Sequence, residues 1–253
     1  MTSPEPTTSG AAALGFEVWE GRPADALTSG VDPTSVAQGV VRLVRPTEPT
    51  LVLGSTQDPS VVNRDAVERD GVCVARRSTG GGAVLVLPDD GSVWIDVLLP
   101  KWPRLVPTDV VASMLWFGDA WRSALARFGI AASVAEQVEC AFPEARAVCF
   151  AALVPGELLV GPPDRAQKLV GSAQRRSRWT VRFSSLMWGE ADPCLVLRYL
   201  RLAEPILQRL EVLLSSRVAS GPGHGEQLAH ELWRQLLRRV RSNPALDEWD
   251  KGA

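Results

Sequence analysis

The amino-acid sequence predicts one α+β domain with a mainly antiparallel β-sheet and packed helices. Short runs rich in Val, Leu and Ile are separated by Gly, Pro and Asp, a spacing typical of antiparallel strands. The predicted elements follow the order strands, helix, strands, helices, rather than a repeating strand–helix–strand unit. A chain of 253 residues with 45% hydrophobic residues is long enough to bury one sizeable core.

Eight apolar runs carry the strand predictions. Five of them precede the first helix, at residues 40–44, 50–53, 72–75, 83–87 and 93–99. Three more extended runs follow that helix, at residues 157–160, 168–173 and 180–188. The Pro-rich segment 161–166 is predicted to be a turn between two of them.

Three helices are predicted. The first begins near Thr108, because Thr108 and Asp109 can cap its N-terminus, apolar residues recur at helical spacing, and Gly129 ends it. The other two are predicted at residues 193–213 and 226–240, with a Gly-, Ser- and Pro-containing loop between them.

Both ends of the chain are predicted to lie outside the folded domain. Residues 1–15 are mostly Pro, Ser, Thr, Gly and Ala, which cannot bury enough apolar surface to offset the entropy lost on ordering. We therefore expect a disordered tail over residues 1–15, a single domain over residues 16–241, and a flexible tail over residues 242–253.

Composition and charge exclude several classes of function. The net charge of −2 gives no bulk electrostatic field, so neither nucleic acid nor a membrane is expected as a partner. No segment offers the ~20 apolar residues of a membrane span, and no signal peptide is recognisable. The four cysteines lack Cys-x-x-Cys spacing and only two histidines occur, so we predict neither a metal site nor disulfides. A cytoplasmic protein with reduced thiols is expected.

The most informative stretch joins two predicted strands and contains three consecutive glycines. It comprises Arg76, Arg77, Ser78, Thr79, Gly80, Gly81, Gly82, Ala83 and Val84. Three glycines weaken a strand, so they indicate positive φ or a close approach of backbone to ligand. The loop amides and the two arginines suit an adenylate or a phosphate, although a flexible hairpin with a basic shoulder has the same pattern.

The second informative stretch begins with a lysine at the head of a predicted strand. It comprises Lys168, Leu169, Val170, Gly171, Ser172, Ala173 and Gln174. Such a lysine can point its ammonium into a cleft and stabilise negative charge on a carbonyl or phosphate oxygen. The small residues Gly171 and Ala173 leave room for an extended ligand. An edge-strand lysine that blunts strand pairing is the alternative interpretation.

Together these stretches resemble the paired signatures of the lipoate-protein ligase and octanoyltransferase family. In that family an Arg-Arg-x-Ser-Gly-Gly-Gly-Ala-Val loop binds the acyl group or its adenylate. A Lys-(Leu/Ile)-Val-Gly-Ser-Ala-Gln strand supplies the active-site lysine. Residues 51–57, with the sequence Leu-Val-Leu-Gly-Ser-Thr-Gln, also resemble the family's Leu-x-Leu-Gly-Arg-x-Gln segment. The three segments stand in the family's order within residues 46–188.

The resemblance implies a fold, a site and substrates. The fold would be the mixed, mainly antiparallel sheet with packed helices of biotin-protein ligases, related to class II aminoacyl-tRNA synthetases. Arg77 would lie near the acyl or phosphate end, and Lys168 would polarise the reacting carbonyl. Lipoate or octanoate would be the substrate, with ATP and Mg²⁺ in a ligase and no cofactor in a transferase. The acceptor would be a lysine on the lipoyl domain of a 2-oxoacid dehydrogenase or glycine-cleavage protein.

A third feature resembles the cysteine-dependent octanoyltransferases. Cys149 and Phe150 precede Pro155 and Glu157 at the spacing found in those enzymes. There the cysteine attacks an octanoyl thioester of acyl carrier protein and passes the acyl group to a lysine. The resemblance implies that Cys149 is the nucleophile, with Lys168 as the neighbour that lowers its pKa. A small buried hydrophobic cysteine is the alternative interpretation.

The sequence departs from the family pattern at both family histidines. Residues 85–88 stand where ligases usually have a His-Asp pair, and residues 181–185 replace a Leu-Gln-His-Gly-Ser segment. His224 and His230 lie too far along the chain to substitute by sequence position.

Three functions therefore stay open. The first is an ATP-dependent ligase acting through an acyl-adenylate, and it is the function we expect because the Gly-rich loop and the lysine strand match the family best; the other two are alternatives. The second is an ATP-independent octanoyltransferase that uses Cys149. The third is a non-catalytic acyl-binding paralogue, against which the intact Lys168 argues.

Overall fold

The computed structural model describes residues 14–28, 39–101 and 105–242. The predicted tails fall mainly outside these residues, at 1–13 and 243–253. Within them, Leu14 is buried and Gly15 already begins a strand, so the folded part starts slightly earlier than predicted. None of the described helices is long and apolar enough to cross a membrane.

The centre of the fold is a seven-stranded sheet. In spatial order it contains β1 (Gly15–Gly21), β2 (Val40–Pro46), β6 (Val93–Pro100), β12 (Thr180–Met187), β11 (Gln167–Arg176), β10 (Leu158–Val160) and β7 (Ala132–Val134). Only β1 and β2 run parallel among these neighbours, and every other adjacent pair is antiparallel. The sheet is therefore mixed and mainly antiparallel, as predicted.

A second, smaller sheet covers part of the large one. It contains β4 (Cys73–Arg76), β3 (Thr50–Leu53) and β5 (Val84–Val86), in that order. The β3–β4 pair is parallel and the β3–β5 pair is antiparallel. Two short antiparallel strands, β8 (Glu139–Cys140) and β9 (Ala152–Leu153), lie apart from both sheets.

The helices lie on both faces of the large sheet. They are α1 (Pro23–Thr28), α2 (Arg64–Arg69), α3 (Val110–Ala126), α4 (Glu204–Arg217) and α5 (Gly225–Arg241). Within the described residues, five short 3₁₀ helices supplement them, at Pro59–Val61, Pro143–Ala147, Cys149–Ala151, Pro163–Arg165 and Pro193–Tyr199.

Two hydrophobic cores follow from the alternation of side chains along the strands. In β6, Val93, Ile95 and Val97 pack with α3 and α5 on one face, whereas Trp94 packs on the other face. Successive strand residues point to opposite faces, so one strand serves both cores. The second core joins the large sheet to the small sheet and α4, and it surrounds the site described below.

The helix predicted over residues 193–213 is wrong as one helix. The chain forms the 3₁₀ helix Pro193–Tyr199, runs without helix through residues 200–203, and then begins α4 at Glu204. Pro205 lies in the first turn of α4, where its missing N–H is tolerated. A helix entering from the N-terminal side would lose a hydrogen bond there and clash with the proline ring.

Candidate functional site

A cavity of about 430 Å³ lies between the large and the small sheet. Its walls are mostly apolar, with Val52 and Val84 from the small sheet and Trp94 and Leu186 from the large sheet. Its volume falls within the ~300–1,000 Å³ of small-molecule sites. A cavity with these walls suits an acyl chain.

The Gly-rich loop forms one wall because its glycines allow very close backbone packing. A β-carbon on Gly54 would lie 1.9 Å from the carbonyl oxygen of Gly81, whose own φ is +99°. A β-carbon on Gly82 would lie 2.6 Å from the carbonyl oxygen of Arg146. Larger residues at Gly54 or Gly82 would push these segments apart, so the glycines set the shape of this wall.

The two arginines of the loop donate hydrogen bonds to backbone carbonyl oxygens and so hold neighbouring segments in place. Arg77 is buried and folds back on its own loop, donating from Nε and Nη2 to Gly80 O and from Nη2 to Gly82 O, at 2.9–3.1 Å. Arg76 is exposed and does not line the cavity. Its Nη1 donates to the carbonyl oxygens of Gly54 and Ser55 at 3.1 and 2.9 Å.

The structure brings most of the predicted site residues to one cavity. The predicted residues that line it are Arg77, Thr79, Gly80, Gly81, Gly82, Cys149, Gly171, Ser172 and Ala173. Ser78 lies outside the wall, and its carbonyl oxygen accepts a hydrogen bond from Arg175. Ala83 is fully buried and joins the Gly-rich loop to the cysteine, because its carbonyl oxygen accepts from the N–H of Cys149 at 2.9 Å.

Ser172 contributes to the wall without turning its side chain toward the cavity. It is paired with Ser185 across β11 and β12, and paired residues share a face of the sheet. The Ser185 hydroxyl accepts a hydrogen bond from Trp121 of α3, so this face is the one covered by α3. The Ser172 hydroxyl has no hydrogen-bond partner.

Cys149 opens the short 3₁₀ helix Cys149–Ala151, and it is half-buried in the cavity wall. A β-carbon on Gly171 would lie 3.4 Å from the Cys149 sulfur. Gly171 therefore leaves the space that the thiol needs on the cavity side of β11. A second cysteine, Cys140, also lines the cavity, with its sulfur 3.0 Å from Phe142 O.

Lys168 lies beneath the Cys149 turn with only 1% of its side chain exposed. Its ammonium donates to the carbonyl oxygens of Cys149 and Ala152, at 2.8 and 2.9 Å. It also forms an ion pair with Glu157 at 2.7 Å, and lies 5.0 Å from the centre of the Phe150 ring. Lys168 thus touches the backbone of the cysteine turn.

Glu157 is the residue of this cluster that sequence reasoning left out of the predicted site. Its carboxylate accepts from the N–H groups of Val154 and Ser172, at 2.9 and 3.1 Å, besides pairing with Lys168. Burial raises the pKa of Glu157, and the ion pair with Lys168 opposes that rise. The signal in the sequence was the spacing from Cys149 to Glu157, which resembles that of the octanoyltransferases.

The two histidines lie away from the cavity. His230 on α5 stacks on Phe16 with ring centroids 3.9 Å apart, and His224 precedes α5 and stacks on Phe128. Arg239 of α5 pairs with Asp119 of α3 on that same side of the large sheet. Because α5 covers the face opposite the cavity, none of these groups lines the cavity wall.

Comparisons with known proteins place the chain in a family. The model of the lipoyl protein ligase A/B catalytic domain matches residues 27–204. A stretch of 125 residues is 31% identical to an octanoyltransferase LipM of Exiguobacterium sp.. That match spans 47% of this chain and 43% of the relative, so less than half of the relative is covered.

Solved structures show the same fold at low sequence identity. A bipartite lipoate protein ligase of Thermoplasma acidophilum, studied with its E2 lipoyl domain, superposes with a TM-score of 0.65 at 17% identity, covering 95% of this chain and 93% of that one. A lipoate-protein ligase A bound with ATP superposes with a TM-score of 0.56 at 16% identity, covering 88% and 94%. The family match over most of the described residues shows that this chain belongs to the lipoyl protein ligase A/B catalytic-domain family.

Proposed function

We propose that this protein transfers an octanoyl group from a carrier thioester to a lysine of a lipoyl domain, with Cys149 as the nucleophile. The observation that carries the proposal is the position of Cys149, whose thiol lies in the wall of the apolar cavity beside Gly171. The similar protein of Exiguobacterium sp. supports the same choice, since it is named an octanoyltransferase.

The reaction consists of two acyl transfers. In the first, the Cys149 thiolate attacks the carbonyl carbon of the octanoyl thioester, the carbon–sulfur bond to the carrier breaks, and the carrier thiolate takes up a proton. In the second, the ε-amine of the acceptor lysine attacks the Cys149 thioester. An amide forms, the amine loses a proton, and the Cys149 thiol is regenerated.

The chain's own residues hold the reacting groups in place. The apolar walls bind the acyl chain and exclude water from the thioester. Lys168 fixes the turn that carries Cys149 by its bonds to two carbonyl oxygens of that turn. Acyl carrier protein is the proposed donor, and a lipoyl domain of a 2-oxoacid dehydrogenase or glycine-cleavage protein is the proposed acceptor.

An ATP-dependent ligase is the second candidate, and the Gly-rich loop favours it. A β-carbon on Gly80 would meet no atom within 4 Å, so the backbone of this residue is open to a ligand. Arg77, however, donates three hydrogen bonds to its own loop. It does not offer the free charged fork that a phosphate would need.

Intact-mass analysis of a purified lipoyl domain separates these functions. The domain is incubated with the protein and either octanoyl acyl carrier protein alone or octanoate with ATP and Mg²⁺. We expect one octanoyl group to be added from the carrier alone, and this addition to be lost in Cys149→Ala. The exposed Cys73 of β4 provides the control variant Cys73→Ala, which should transfer normally. Addition only with ATP would establish the ligase, and no addition in either mixture would favour an acyl-binding paralogue.

A further inference from the structure

We propose that Glu157 is a positioning residue for this acyl transfer. It holds the ammonium of Lys168 against the turn that carries Cys149, and it sets the charge beside the thiol. The inference rests on the proposed function, because it assigns a role in presenting Cys149 to a thioester.

The ammonium of Lys168 has no donor left for the thiol or for a substrate. A lysine carries three N–H donors, and three acceptors lie around Nζ at 2.7–2.9 Å. These acceptors are the carbonyl oxygens of Cys149 and Ala152 and the Oε1 atom of Glu157. Lys168 therefore acts on Cys149 through the backbone of the turn.

The carboxylate of Glu157 fastens the same turn from the other side. Its Oε2 atom accepts from the N–H of Val154, two residues after Ala152, and its Oε1 atom accepts from the N–H of Ser172 on β11. Glu157 and Lys168 together hold the segment 149–154 at three backbone atoms and tie it to β11. The turn and the strand that places Gly171 beside the thiol thus share one polar cluster.

The charges of Lys168 and Glu157 cancel each other, and both side chains are almost completely buried. The side chains of Lys168 and Glu157 are 1% and 3% exposed, so solvent screens their charges poorly. Removing one partner of such a pair leaves an uncompensated buried charge. The charge felt by the Cys149 thiol consequently depends on Glu157 as much as on Lys168.

Few other ionisable groups face the thiol. The remaining ones that line the cavity are Arg77, Arg146 and Cys140. Arg77 is tied to the Gly-rich loop, and Arg146 is exposed at the rim. The Glu157–Lys168 pair, by contrast, contacts the cysteine turn and is almost completely buried.

The test is the variant Glu157→Gln, which keeps the shape of the side chain and removes its charge. The first readout is the pH dependence of Cys149 alkylation by iodoacetamide, followed by peptide mass spectrometry. The second readout is the rate of Cys149 acylation by octanoyl acyl carrier protein.

We expect both the alkylation midpoint and the acylation rate to fall. The alkylation midpoint should fall by about 1 pH unit or more, because a negative charge is removed and the ammonium is left uncompensated. The acylation rate should fall about 10-fold or more, because the turn is no longer held in its reactive position. A side chain with only a structural role would not lower the thiol midpoint, so an unchanged or raised midpoint overturns the inference.

The double variant Glu157→Gln, Lys168→Met covers the case in which the single variant does not fold. Replacing both members of a buried ion pair by groups of similar volume is often tolerated. We expect this variant to fold, to have a near-wild-type alkylation midpoint, and to acylate slowly. Acylation at the wild-type rate would overturn the inference. If wild-type Cys149 takes no octanoyl group, the proposed transferase fails, whereas the alkylation midpoints still decide the role of Glu157.

Discussion

Gly82 and Gly80 stand two residues apart in the Gly-rich loop, yet their surroundings differ. A β-carbon on Gly82 would lie 2.6 Å from the backbone of Arg146 and Val148, whereas a β-carbon on Gly80 would meet nothing within 4 Å. We predict that Gly82→Ala destabilises the fold by about 1–3 kcal/mol, since backbone must move to accept the methyl group. Each kcal/mol corresponds to roughly 2–4 °C in Tm.

Thermal unfolding of the two alanine variants checks this prediction. Gly80→Ala is the matched control and should keep the Tm of the wild type within about 2 °C. Equal losses of Tm in both variants would contradict the close packing inferred for Gly82.

Trp94 is the largest apolar side chain of the cavity wall, and we predict that it limits the length of the acyl chain. In Trp94→Ala the cavity is larger, so an octanoyl chain loses contacts and a dodecanoyl chain gains room. The ratio of kcat/KM for dodecanoyl over octanoyl thioester should rise about 10-fold or more. Trp179→Ala is the control, because Trp179 is 64% exposed and lies outside the cavity. An unchanged ratio in Trp94→Ala would show that other residues set the length.

The residues of the site differ in how well the sequence predicted them. Consecutive glycines, a strand-leading lysine and a cysteine before phenylalanine formed patterns that could be recognised, and most of them line one cavity. The hydrogen bonds of Arg77 to its own loop and the ion pair of Lys168 with Glu157 could not be predicted from the sequence. Both depend on side-chain rotamers and on the β10–β11 register, which carries an irregularity at Leu158 and Leu159.

At the scale of elements, the N-terminus of α3 offers a direct test of helix capping. Asp109 is the N-cap, and its carboxylate accepts from the N–H of Ala112 at 2.7 Å. Asp109→Ala leaves that N–H without its partner, so we predict a loss of about 1 kcal/mol and a Tm lower by roughly 2–4 °C. Thr108→Ala, one residue earlier, is the control in the same thermal measurement. A larger loss of Tm in Thr108→Ala than in Asp109→Ala would show that Asp109 is not the residue that caps α3.

Long elements with strong periodicity and short apolar strands were predictable, whereas short elements without an apolar run were not. The capping residues, the apolar spacing and Gly129, at φ +74°, correctly predicted α3. The strand β1 was missed because Val18 and Trp19 interrupt a strict alternation of apolar and charged residues, and because most of its residues are exposed. The short elements α1, α2, β7, β8 and β9 were missed too, since they lack the runs of Val and Leu that mark the equally short β5 and β10.

At the scale of the whole molecule, Asp119 links the two helices that cover one face of the large sheet. It lies on α3 and bonds to Arg122 of the same helix and to Arg239 of α5. Burial raises the pKa of Asp119, but the bonds with Arg122 and Arg239 outweigh this and hold the pKa below its ordinary value. The folded state therefore favours the ionised carboxylate.

This shift predicts how stability depends on pH. Because the folded-state pKa is depressed, the stabilisation is present above the unfolded-state pKa of ~4 and is lost as pH falls through the folded-state pKa. Asp119→Asn should lower Tm at pH 7, and the difference from the wild type should shrink toward pH 2. Asp164→Asn is the control, since Asp164 forms only an exposed pair with Arg165. A difference that stays constant with pH would contradict this role of Asp119.

If Cys149 carries the acyl group during transfer, the acyl-enzyme can be trapped on this residue. The protein is mixed with octanoyl acyl carrier protein, quenched in acid, digested and analysed by peptide mass spectrometry. We predict one octanoyl group on the peptide that contains Cys149, removable by hydroxylamine and absent in Cys149→Ser. An unmodified Cys149 in a protein that still acylates a lipoyl domain would contradict the account.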